Sequence, residues 1–105
     1  MGTSAAIKLG MNALAKARAD ALFAKEFAEL NVLPELHAEQ AQVLGKPVTL
    51  TVFRSPHDGS RVLIVVQAFR EALFGMTAQI SVEGFVASPS GEKVRASEEM
   101  LWDYN

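Results

Sequence analysis

The sequence predicts an α+β domain, on three observations. Apolar residues recur at helical spacing before Gly45 and alternate one by one after Pro47. Good helix formers fill residues 11–30 with no glycine or proline among them. Turn-forming clusters at Ser55–Ser60 and Ser88–Gly91 cut the second half into strand-length pieces. Helices segregated from strands define the α+β class. The expected arrangement is an N-terminal helix pair packed on a three- to four-stranded antiparallel β-meander, closed by a short C-terminal helix. Residues 1–105 are expected to form one domain, with residues 1–10 outside its ordered body.

The first helix is expected over residues 11–30, and its wheel is unusual. Ala13, Ala17, Ala21, Ala24 and Ala28 fall on one stripe, while Phe23, Phe27 and Leu30 point elsewhere and Leu14 and Leu22 widen the apolar surface. A helix apolar on more than one side is contacted on more than one side. One contact is its own sheet; the other is the second helix or another subunit. The competing explanation of the stripe is that alanine is simply the best helix former.

A second helix is expected over residues 34–44. Pro34 suits its first position, Glu35 its positively polarised end, and Gly45 the position just past its C-terminus. Strands follow. Residues 48–53 alternate and are rich in β-branched side chains; Asp58-Gly59 marks a turn; residues 61–67 are apolar on both faces, as in a covered central strand. Residues 68–75 read either as a hairpin or as one helical turn ended by Gly75, with the hairpin favoured. In residues 76–86, Met76, Ala78, Ile80, Val82, Gly84 and Val86 alternate with a more polar set, Thr77, Gln79, Ser81, Glu83 and Phe85. Gly84 marks a bulge or a close backbone approach. Residues 93–95 are a candidate fourth strand, and Ser97 an N-cap for a short terminal helix carrying Met100, Leu101, Trp102 and Tyr104. The layout, a helix followed by a wrapping antiparallel sheet, resembles the cystatin-like plan in topology alone and implies no function.

Composition narrows the function classes. Ten basic and twelve acidic residues give a net charge of −2, with no basic stripe of the kind nucleic-acid binders use, so no nucleic-acid partner is expected. The chain has no cysteine, which excludes disulfides and thiolate chemistry and fits the cytoplasm. No apolar run approaches the roughly 18 residues a membrane span needs. Lys8 and Lys16 interrupt the N-terminal apolar stretch, so no secretory core forms, and Ala6 stands where a myristoylation motif wants Ser or Thr.

Catalytic constellations are missing as well. Ser55, His57 and Asp58 are close in sequence, but triad partners normally come from separate elements, and turn chemistry already accounts for Asp58 and Gly59. On a helix, His37 would need a second ligand three or four residues away to hold a metal, and Gln40 and Ala41 stand there. Arg54, Arg61 and Arg70 lie near strand ends, where arginines are commonly just solvated. No catalytic residue, metal or cofactor is expected. Gln79, Glu83 and His57, with Tyr104, are the polar candidates for a pocket between the long helix and the sheet. The aromatics Phe69, Phe74, Trp102 and Tyr104 are candidates for an interface, or else plugs for the end of the core. Three functional readings follow: a non-enzymatic interaction module forming a homo-oligomer, with a dimer favoured; a small-ligand-binding domain or minor enzyme; and an accessory subunit bound to a protein partner.

Overall fold

The computed structural model describes residues 2–72 and 75–105. A long helix, α1 (Gly2–Phe23), is followed by a one-turn helix, α2 (Phe27–Leu30), and by strands β1 (Leu36–Val43), β2 (Lys46–Pro56), β3 (Val62–Ala72), β4 (Thr77–Ala87) and β5 (Lys93–Arg95). A short helix, α3 (Glu98–Leu101), and a single 3₁₀ turn at Trp102–Tyr104 end the chain. Among the described residues, five strands make one antiparallel sheet in sequential order. The α+β class therefore holds, but a helix pair and three to four strands do not describe it.

The chief correction is residues 34–44. Residues 36–43 of this stretch form β1, not a helix, pairing along their length with β2 from Leu36↔Phe53 to Val43↔Lys46. Glu, Ala, Gln and Leu give this stretch good helix propensity, but an isolated helix this short is marginal in water. Pairing with β2, whose Val48, Leu50 and Val52 are all buried, overrides it. Gly45 is the second residue of a tight hairpin turn, with Leu44 at φ 51° and Gly45 at φ 79°. Positive φ at both central positions is what a two-residue hairpin requires.

The helix α1 starts at Gly2 rather than residue 11 and stops at Phe23 rather than residue 30. Its 22 residues span about 33 Å, close to the roughly 37 Å of an 11-residue strand. A straight helix to residue 30 would overrun the sheet. Instead Phe23 packs edge-on against Phe85 at 5.1 Å between ring centroids. The chain then turns, and Glu26 starts α2 through a capping box with Glu29. The turn returns Leu30 to full burial.

The face of α1 that meets the sheet is Ile7, Met11, Ala15, Ala19 and Leu22, all buried against Val48, Leu50, Val52, Val62, Ile64, Val66, Ala68, Phe85 and Ala87. A second, smaller cluster lies on the opposite face of the sheet, where Leu63, Val65 and Val86 pack with Phe53, Val82, Ala96, Leu101 and Tyr104. The central strand β3 is thus covered on both faces, as its continuous apolar sequence predicts.

In β4 the more polar set lies under α1, and the alternating apolar set faces away from it. Gln79 donates to Ser4 Oγ at 3.1 Å and to the Ser4 carbonyl at 3.2 Å. Ser81 donates to Asn12, and the Lys8 ammonium donates to the Ile80 carbonyl. The helix supplies the partners that let polar side chains sit beneath it.

Candidate functional site

The interface candidates on the helix are all exposed. Ala13, Ala17 and Ala21 lie on α1, while Ala24 follows its last turn and Ala28 belongs to α2, so the stripe does not continue on one helix. Leu9, 68 % exposed, extends it at the N-terminal side. The buried residues Ile7, Met11, Ala15 and Ala19 and the exposed residues Leu9, Ala13, Ala17 and Ala21 have the same spacing, offset by two positions. Two residues are about 200° around a helix, so the stripes lie on opposite sides. A helix packed on one side normally turns charge to solvent; here Lys16 and Asp20 flank the outer stripe and bond to each other at 2.9 Å. Asp20 also accepts from Arg95 of β5 at 2.8 Å. These cations, Lys16 foremost, hold its carboxyl below the ordinary aspartate range. Arg95 stacks over Phe23 as well, its guanidinium carbon 4.0 Å from the ring centroid.

The C-terminal segment divides the aromatic candidates by role. Ser97 caps α3, accepting from the Met100 amide at 3.3 Å, and the Ala96 amide donates to the Gly84 carbonyl at 2.9 Å. Tyr104 tilts against Phe53 at 5.1 Å and its carbonyl accepts from Gln67 at 2.6 Å. Leu101 sits over Gly84, where an added Cβ would lie 2.9 Å from its Cδ2. Leu101 and Tyr104 therefore cover the second cluster, while Trp102 points outward, 76 % exposed. Phe69 is half-buried in β3, paired with Ile80 of β4. Phe74 lies outside the described residues, with Leu73; the strands on either side, β3 and β4, pair as far as Ala72↔Thr77.

The polar candidates do not converge. Gln79 pairs in register with Arg70, and Glu83 with Val66, whereas His57 lies beyond the other end of β3, its amide bonded to the Arg61 carbonyl at 3.0 Å. From Arg70 to Val62 is about 27 Å along the strand. Ser55 and Asp58 are also apart: Ser55 Oγ lies 3.5 Å from the Tyr104 hydroxyl, while Asp58 is bound by Arg61 at 2.7 Å. That bond with Arg61 keeps the Asp58 carboxyl below its usual range. His37 lies on β1, two residues from Glu39 and on the same face of the sheet; the buried Oε1 of Glu39 faces the Arg18 guanidinium as an ion pair. A cleft of about 290 Å³ does open between α1 and this edge of the sheet, lined by Arg18, Leu22, Leu33, Pro34, His37 and Val52. None of Gln79, Glu83 or His57 lines it. Among the described residues no group of three His, Asp or Glu side chains is placed to hold a metal ion, and no helix is long and apolar enough to cross a membrane.

No family model, curated protein or solved structure matches this chain.

The sequence reading missed the exposed leucines Leu36 and Leu44, 58 % and 68 % exposed at the two ends of β1. On a helix they would have counted as part of an apolar stripe; only the change to a strand leaves them unburied.

Proposed function

We propose that this chain is a small, cytoplasmic, non-enzymatic interaction module that associates with itself through the outer face of α1. The observation that carries the reading is the second small, apolar stripe, Leu9, Ala13, Ala17 and Ala21, exposed on the side of α1 opposite its buried stripe. Small side chains let two helix backbones approach closely, and an apolar strip beyond the one the sheet covers is what a second contact would bury. The absence of cysteine agrees with a reducing compartment. Scattered polar candidates lend an enzyme little support.

Ala21→Glu tests it. The glutamate would place charge in a close helix contact while leaving the sheet-facing stripe untouched. The mass of the oligomer by light scattering should fall; an unchanged mass removes the helix face as the contact. The outward Trp102 favours a second reading, in which the terminal segment anchors this chain to another protein. Trp102→Ala would then abolish a stoichiometric partner in a pull-down while leaving self-association intact.

A further inference from the structure

We infer that the free edge of β1 is a second, independent homotypic contact, in which two copies pair β1 against β1 antiparallel about a two-fold axis at Gln40 to make one continuous sheet. It shares with the helix reading only the identity of the partner, a second copy of this chain.

The two edges of the sheet differ. The far edge is β5, three residues long with Lys93 and Arg95, the short and charged form that discourages strand addition, continued by β4 from Thr77 to Glu83, which β5 does not reach and where Lys8 donates to the Ile80 carbonyl. The near edge, β1, is eight residues, LHAEQAQV, with no lysine, arginine or proline. Its one carboxylate, Glu39, is turned to the helix side and occupied by Arg18.

Backbone parity identifies which groups are open. The Arg54 amide donates to the Glu35 carbonyl at 3.0 Å, in register with the β1–β2 ladder. Odd-numbered residues of β1 therefore direct their amides and carbonyls toward β2. Even-numbered ones, Leu36, Ala38, Gln40 and Gln42, direct theirs out of the sheet. All four side chains are exposed.

The register follows from the side chains. Opposed residues must lie on the same face, so the dyad must pass through a residue rather than between two. At Glu39 it would set two carboxylates directly opposite each other, a repulsive pairing. At Gln40 the pairs are Gln40 with Gln40, Ala38 with Gln42, Glu39 with Ala41, His37 with Val43, and Leu36 with Leu44. No like charges meet, the outward amides and carbonyls of Ala38, Gln40 and Gln42 are matched, and at both ends the exposed Leu36 comes beside the exposed Leu44 of the hairpin turn. An extended peptide of another protein could use the same open backbone, but the match of Leu36 to Leu44 across a dyad is a property of the chain's own sequence.

Because the chain has no cysteine, disulfide trapping reads the register directly. In a hydrogen-bonded antiparallel pair the opposed Cα atoms are about 5.5 Å apart, within disulfide range. Gln40→Cys should give a covalent dimer under mild oxidation. Ala38→Cys should not, because its opposite number is Gln42; the linked fraction should differ by about tenfold or more, since only a bound pair holds two thiols at high effective concentration. The double variant Ala38→Cys/Gln42→Cys should link again. Gln40→Lys, which sets two ammonium groups on the dyad, should lower the mass by light scattering without changing the far-UV spectrum. A Gln40→Cys chain that stays unlinked, or an Ala38→Cys chain that links equally well, overturns the edge contact. If Gln40→Cys stays unlinked while the mass still exceeds 11.3 kDa and falls with Ala21→Glu, the edge contact alone is lost and the helix reading stands. If Ala21→Glu leaves the mass unchanged while Gln40→Cys links, the helix reading alone is lost.

Discussion

Gly84→Ala is the sharpest test of how the C-terminal segment is held to the sheet. A methyl group at this position would stand 2.8 Å from the Ile64 carbonyl oxygen and 2.9 Å from Leu101 Cδ2. The carbonyl belongs to the β3–β4 ladder and cannot retreat without breaking it. Leu101 is a partly exposed side chain at the end of a four-residue helix and can retreat, but only by lifting off Val65 and Val86. Overpacking of this kind costs about 1–3 kcal/mol. Removing glycine from a strand returns about 0.5–1 kcal/mol of chain entropy, so the net loss is centred on about 1 kcal/mol. For a domain of this size each kcal/mol moves the melting midpoint by about 4–8 °C, so Tm should fall by about 4–8 °C. Thermal unfolding by circular dichroism measures it. A cycle with Leu101→Ala should then show coupling above about 0.5 kcal/mol, because shortening Leu101 relieves part of the clash. A variant that melts at or above the wild-type temperature, or strict additivity with Leu101→Ala, would refute the packing of Leu101 on Gly84.

Two further substitutions separate plug from anchor: Tyr104→Ala should cost about 1–2 kcal/mol by uncovering Phe53, whereas Trp102→Ala should stay within about 0.5 kcal/mol because its ring is already in solvent. Denaturant melts of the two variants measure the contrast. The carboxyl of Asp20, held below its ordinary 3.8 by Lys16 first and Arg95 next, contributes stability that is fully present above that pH. The contribution is lost as pH falls through the lower folded-state value. Wild type and Asp20→Asn should therefore differ at neutral pH and low salt, and converge in strong acid; a difference that grows on acidification would contradict the pairing.

Where local chemistry and tertiary packing agree, the elements could be read from the residues alone. The uninterrupted apolar run 62–66 is a strand covered on both faces, Ser97 is an N-cap, and Gly84 is a close approach, each as its residue type demands. Where they compete, packing decides. Residues 36–43 have helix propensity but occupy the edge beside β2, because β2's apolar side chains need a paired neighbour more than an amphipathic segment needs its own hydrogen bonds. The end of α1 at Phe23 has no glycine or proline to announce it; the length of the sheet and the Phe23–Phe85 contact set it. The orientation of β4 was hidden for a different reason. Ser81 and Gln79 look solvent-facing until Asn12 and Ser4 are known to lie above them. The outer alanines of α1 were legible as a stripe, since periodicity survives a shift in helix boundaries. The edge strand β1 was not, because its helix-forming residues hide the strand there.

Both proposed contacts require self-association, which sedimentation equilibrium of the unmodified chain over a wide range of concentration reads out. Self-association gives a weight-average mass that rises with concentration above the 11.3 kDa of one chain. A mass that stays at 11.3 kDa to the highest concentration reached would contradict both the helix contact and the strand contact at once.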